Sequence, residues 1–222
     1  MPRRTSYFDG CPTAHALDLI GNRWALLVVR ELMVGPKRFS DLRRSLPRIS
    51  SNVLVERLQE LEEAEVLIHR TLPPPAGSAV YELTDRGRDL NTVLTAIGRW
   101  GASSPTLPRS DTLGVDTFVL ALRSAFDPAA DGDVDSTYEL RVEEEAFTFA
   151  IHDGSLALRR GAGDDERSVL RVDPTAMAAV ARGEVALADA LAAIGETDES
   201  KVASFASLFV PPHVGDDAAH SD

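Results

Sequence analysis

Apolar residues in the first half of the chain fall into short blocks at helical spacing, separated by turn-forming residues. Pro12 stands near the start of one block, and Trp24, Leu27, Val28 and Leu32 form an apolar stripe on the next, which Gly35-Pro36 stops. Phe39-Ser40 then opens a short helix through Leu42, Arg43 and Leu46, ended by Pro47. A further helix follows almost at once. Its Leu54, Leu58 and Leu61 recur at i, i+4 and i+7 as a core stripe, leaving Ser51, Asn52, Val55, Glu56 and Gln59 on the opposite side. The period changes after that. Two β-prone runs, 66–72 and 79–83, flank Pro73-Pro74-Pro75-Ala76-Gly77-Ser78, which predicts a hairpin with a stiff tip. Thr84 stands where an N-cap belongs, and Leu90, Val93, Leu94, Ile97 and Trp100 follow at helical spacing up to Gly101.

Residues 102–112 are rich in Ser and Thr with two prolines, the composition of a linker. Beyond it a helix is expected over 113–126, then β-prone runs at 136–142, 146–152, 155–160 and 168–172, then alanine-rich helices begun by Asp173-Pro174. The last few residues read as frayed. The pattern predicts an α+β chain of two domains: 1–104, ending in a helix after the hairpin, and 113–215, a mixed sheet with helices.

With 44% hydrophobic and 26% charged residues, the composition is that of a globular protein. The net charge of -12 disfavours contact with nucleic acid until it is divided. Residues 1–104 carry 14 Lys and Arg against 12 Asp and Glu, whereas 105–222 carry 9 against 23. A phosphate backbone attracts only the first half. The one cysteine, Cys11, excludes an intramolecular disulfide framework, and no Cys/His spacing matches a zinc site, so no metal or cofactor is expected. The start of the chain lacks the apolar run of a signal peptide, and no stretch approaches a membrane span, which predicts a cytoplasmic protein without a membrane partner. Ser-His-Asp, P-loop, G-x-G-x-x-G and H-E-x-x-H signatures are absent, so an enzyme is not expected.

Helix, helix, turn, helix, hairpin, helix is the order of a winged helix-turn-helix, and the local motifs are more specific than the order. Cys11-Pro12, an L-x-x-I-G-x-x-W block, G-P-x-R-F-x-x-L, L-x-x-R-L-x-x-L-E and Y-x-L-T-x-x-G all occur between residues 11 and 101. This stretch resembles the HxlR-type branch of the winged-helix regulators. A helix beginning near Ser50 can enter a major groove about 12 Å wide, with Ser51, Asn52 and Val55 toward the bases and Asn52 suited to an adenine edge. Arg43, Arg44 and Arg48 precede it, placed to bind phosphates, with Lys37 and Arg38 as further candidates. The resemblance adds Arg70, in the hairpin where the family's wing approaches the backbone. Any one of these alone is more readily a solvated surface residue, and only the set on one scaffold points to DNA. The chain departs from the family at Ser51-Asn52, where a Pro-Arg pair is common, and at its uncharged wing tip. The helix over 85–100 has more apolar positions than one wing can cover, which predicts a homodimer, as the resemblance also implies, and an operator that is an inverted repeat with half-sites about one turn apart. Repression is the mode that the resemblance implies.

The second half resembles sterol-carrier-protein-like domains, in which a sheet and helices surround an apolar cavity. The features shared are the helix before Arg182-Gly183, ALADAL, and a closing helix ending in Leu208-Phe209. Ile194-Gly195-Glu196-Thr197-Asp198 shortens a turn that usually leads out of a strand. Tyr138, Phe147, Phe149, Phe205 and Phe209 are the candidate lining of a site for an apolar small molecule that biases DNA binding, or simply core. Two alternatives stay open. Cys11, near a helix N-terminus, can serve as a redox or electrophile switch, as in some relatives, or be a small buried apolar residue. The chain can also be a lipid carrier that keeps a winged helix for dimerisation.

Overall fold

The computed structural model describes residues 6–209 except 75–76, 103, 105, 107–112, 128, 131–134, 164–167 and 196–197. The expected linker over 102–112, the tip residues Pro75 and Ala76, Glu196-Thr197 and the chain end beyond 209 therefore lie wholly or largely outside the described residues. The chain divides into two units, Met1–Trp100 and Gly101–Asp222.

In the first unit α1 (Pro12–Ile20), α2 (Ala25–Leu32), α3 (Phe39–Ser45) and α4 (Ser51–Glu63) lead into β1 (Leu67–Thr71), β2 (Ala79–Leu83) and α5 (Asp85–Ala102). The stripes meet in one core of Val28, Val29, Leu32, Leu42, Leu54, Leu58, Leu61, Leu67 and Leu83, all buried. Each such side chain contributes about 1.5–3 kcal/mol by leaving water. The α2 stripe differs from expectation in one respect. Trp24 lies before the helix with φ 80°, and the buried apolar set is Ala25, Val28, Val29 and Leu32, while Leu27 is 37% exposed. Val28 and Leu32 lie on the buried face as expected, while Trp24, left-handed and outside the helix, packs partly buried against the core.

Two motif glycines have a steric cause. A Cβ on Gly21 would lie 2.4 Å from the Leu17 carbonyl oxygen, and one on Gly87 would lie 2.0 Å from that of Val66. The first lets α1 turn sharply into α2; the second lets α5 rest against the start of the hairpin. Thr84 caps α5, its Oγ1 accepting from the Gly87 N–H at 3.0 Å. The hairpin is antiparallel, from Leu67 opposite Leu83 to Thr71 opposite Ala79, and Lys37 adds a third short pairing to it at Tyr81.

The second unit holds α6 (Val115–Ala125), β3 (Ser136–Val142), β4 (Glu145–His152), β5 (Ser155–Arg160), β6 (Ser168–Arg171), α7 (Pro174–Ala181), α8 (Leu187–Ala192) and α9 (Glu199–Ser207). The sheet order is β5-β4-β3-β6, antiparallel except for the β3–β6 pair, so the chain crosses from one edge to the other between β5 and β6. Alternate residues Tyr138, Leu140, Val142, Phe147, Phe149 and Ile151 are buried on one face. Glu139 and Thr148, register partners on the other face, are buried too. The crossover begins over them: Thr148 Oγ1 donates to the Gly161 carbonyl at 2.8 Å. Asp173 caps α7 by accepting from the N–H groups of Thr175 and Ala176.

Candidate nucleic-acid interface

The N-terminal turn of α4 is held from below and open above. Leu54, Leu58 and Leu61 anchor it in the core, and Ser51, Asn52 and Val55 are exposed on the opposite side. Ser50 adopts extended backbone, and its Oγ accepts from the Val53 N–H at 3.3 Å. Its hydroxyl is therefore first a cap, which leaves the other free N–H groups and the positive end of the helix dipole facing outward. The later turns are acidic. Arg57, 7% exposed, reaches Glu60 at 2.7 Å and Glu56 at 3.0 Å, and Asn22 donates to Glu60 at 3.0 Å. This network ties α4 to the α1–α2 turn and holds the Glu56 carboxylate beside a cation. Only the first turn of the helix can lie close to phosphates without charge repulsion.

The arginines divide by task. Arg44 is 80% exposed, with only a 3.5 Å contact to Asp41, and Arg48 is exposed on the turn into α4. Arg43 Nη1 donates to the Ile49 carbonyl and so clamps that turn. Arg70, on β1, is paired with Glu82 of β2, which offsets its charge. Beside it His69 stacks on Tyr81 with ring centroids 4.6 Å apart. Lys37, a phosphate candidate by sequence, is corrected by the structure. It is 5% exposed, and its Nζ lies 2.7 Å from Glu31 Oε2 and 3.0 Å from Ser45 Oγ. Glu31, 2% exposed, also receives Arg30 at 2.8 Å. Burial alone would raise its pKa, but the two cations outweigh this and hold it below the ordinary range. Sequence reasoning passed over both this pair and the Arg57–Glu60–Asn22 network. The signal was a charge at an inward position: Glu31 lies three residues after Val28 on the α2 stripe, and Arg57 beside Leu58 on α4.

Cys11 is exposed at the N-cap of α1, its own N–H donating to Asp9 Oδ1 at 3.0 Å. Hydrogen bonds from the backbone of Ala14, then Thr13, lower its thiol pKa. In the second unit Phe205 is in ring contact with Tyr138, Phe149 and Phe209 at centroid distances of 4.9–5.3 Å, and Phe147 lies under the Arg160 guanidinium. All five aromatics are buried. On α5, Leu90 and Leu94 pack on the core, while Val93, Ile97 and Trp100 are exposed at 40%, 46% and 79%.

The family model for HxlR-like helix-turn-helix proteins matches residues 19–106. The regulator YodB of Bacillus subtilis is 38% identical over 91 residues, 40% of this chain and 81% of its own. The chain belongs to the HxlR-like helix-turn-helix family. YvaP of the same organism, an uncharacterized HTH-type transcriptional regulator, is also 38% identical over 91 residues, 84% of its length. Among solved structures, quinone-bound YodB aligns at 36% identity over 40% of this chain and 96% of its own, with a TM-score of 0.36. This HxlR-like transcriptional regulator thus carries the family's helix-turn-helix in its first unit, with DNA as the partner the family implies. The match to the family model ends at residue 106, near the start of the second unit. No helix among the described residues is long and apolar enough to cross a membrane.

Proposed function

We propose that the chain is a homodimeric repressor that places the first turn of α4 in the major groove of an inverted-repeat operator. The observation that carries this reading is the capped, outward-facing turn of Ser51, Asn52 and Val55 over a fully buried leucine stripe, flanked by exposed Arg44 and Arg48. Asn52 reads an adenine edge; Arg44 and Arg48 hold phosphates, with Arg43 and Ser50 shaping the turn and Arg70 approaching the backbone from the wing. Residues 1–104 are assigned to DNA binding and dimerisation, and the exposed Val93, Ile97 and Trp100 on α5 to the second copy. Two-fold symmetry then makes the operator palindromic. Repression follows from occluding a promoter.

The region 113–215 is assigned as a sterol-carrier-like effector domain for an apolar small molecule, supported by the aromatic group between the sheet and α9. Because Tyr138, Phe149, Phe205 and Phe209 fill that space with their own rings, an effector must part them. It regulates only if it binds one DNA-binding state better than the other. Selection of bound fragments from the host genome, followed by titration across salt, tests the main reading. One inverted repeat should be enriched, with affinity falling steeply as salt rises. Tight ligand binding with no salt-sensitive DNA binding would point instead to a carrier.

A second reading is favoured by the exposed Cys11 with its lowered thiol pKa: oxidants or electrophiles modify it and release DNA. YodB itself has been solved quinone-bound. Cys11→Ser should then abolish derepression by quinone or peroxide; unchanged derepression removes this reading.

A further inference from the structure

Lys37 joins three elements through two different parts of itself. Its backbone exchanges both hydrogen bonds with Tyr81 of β2, the N–H donating at 3.0 Å and the carbonyl accepting at 2.8 Å. Its ammonium, buried, donates to Glu31 on α2 and to Ser45 at the end of α3. The four-carbon stem therefore spans from the wing to the helix pair whose next turn leads into α4. An ion pair at 5% and 3% side-chain exposure is not a surface device. Taking both charges out of water is costly, and a packed apolar pair of the same volume would serve stability as well or better. What directional bonds supply, and apolar contact does not, is a fixed geometry.

We propose that Lys37 is a positioning residue for DNA binding, held by Glu31 so that the wing keeps one angle to the reading helix. It touches no phosphate. Releasing it leaves Arg44 and Arg48 in place but lets the wing, with Arg70 and the His69–Tyr81 stack, rotate away from its place beside the half-site. This rests on the DNA-binding reading above.

The test uses the full chain and the operator selected from the genome, against an unrelated duplex of equal length, over a range of salt. Lys37→Met and Glu31→Gln should each weaken operator binding about tenfold, or about 1.4 kcal/mol, with the unrelated duplex little affected. The salt dependence on the unrelated duplex should be unchanged for both. Because either single variant can unfold by stranding a buried charge, Glu31→Leu/Lys37→Met is measured beside them. It should recover the melting temperature and still lack the operator preference.

Three outcomes overturn the proposal. If Lys37→Met loses affinity equally for both duplexes with a salt slope shallower by about 0.9, while Glu31→Gln binds as tightly as the original, Lys37 is a phosphate contact. Operator preference intact in the folded single variants, or restored in the double variant, leaves the pair only a structural part. If the unmodified chain shows no salt-sensitive preference for any duplex, the DNA-binding reading itself fails, which is a separate result.

Discussion

Single atoms decide several residues here. A methyl group on Gly87 would meet a backbone oxygen, so Gly87→Ala is expected to destabilise the first unit by about 1–3 kcal/mol through forced backbone displacement. Gly98, also in α5, has nothing within 4 Å of where its Cβ would stand, so Gly98→Ala should stabilise by about 0.4–1 kcal/mol by narrowing the unfolded ensemble. Urea unfolding of the two variants side by side checks the contrast; equal effects would mean that α5 does not approach Val66 as described. The proposed contact residues separate by what each would bind. Asn52→Ala should lose about 1–3 kcal/mol of discrimination at one base pair per half-site, while Arg48→Ala should weaken all duplexes alike and flatten the salt dependence. Binding to single-base operator variants measures both. Chemical type and spacing single out Asn52, Arg44 and Arg48 as a set, and the structure leaves all three exposed around the start of α4. Type and spacing did not separate Arg48, which is exposed, from Arg43, which is spent on the Ile49 carbonyl, because both are arginines near one turn.

At the scale of elements, periodicity located the helices and strands well, because a core that excludes water imposes its period on the chain. The boundaries of α4 and the hairpin follow from Ser50, Pro47 and the proline-rich tip. On α2 the buried Val28 and Leu32 were legible, but the outward turn of Leu27 and the place of Trp24 before the helix were not, because a single left-handed residue starts the helix one position later. The cap on α4 is worth about 1 kcal/mol, so Ser50→Ala should lower the melting temperature modestly and weaken operator binding by fraying the turn that reads it. The open face of α5 gives a sharper expectation. Ile97→Asp should leave the first unit folded, since Ile97 is half exposed, yet yield monomers that bind the operator far more weakly. Sedimentation at micromolar concentration decides this, and a dimer that survives would place the interface elsewhere.

For the whole molecule, charge and pH act differently on the two units. Glu31 has a lowered pKa in the folded first unit because Lys37 and Arg30 outweigh its burial. Its contribution is present above the ordinary glutamate value of 4.5 and is lost as pH falls through the lower folded value. His152, exposed in the second unit, is raised by its bond to Asp135, so its contribution is present below 6.5 and fades as pH rises through the folded value. Melting curves followed from acid to neutral pH should show Glu31→Gln removing part of the acid sensitivity of the original chain. If the variant loses stability with acid as steeply as the original, Glu31 is not a source of it.

The amino-acid sequence by itself determined the order of elements, the leucine stripe beneath α4, the division of charge at the middle of the chain and the family. Each of these depends on local spacing or on composition, which need no partner from far along the chain. Only the tertiary structure decided that Lys37 is buried against Glu31, that Glu60 is bound by both Arg57 and Asn22, and that Arg70 meets Glu82. A charged side chain is assigned to phosphate or to carboxylate by whichever lies within a few ångströms, and that distance exists only once the chain has folded.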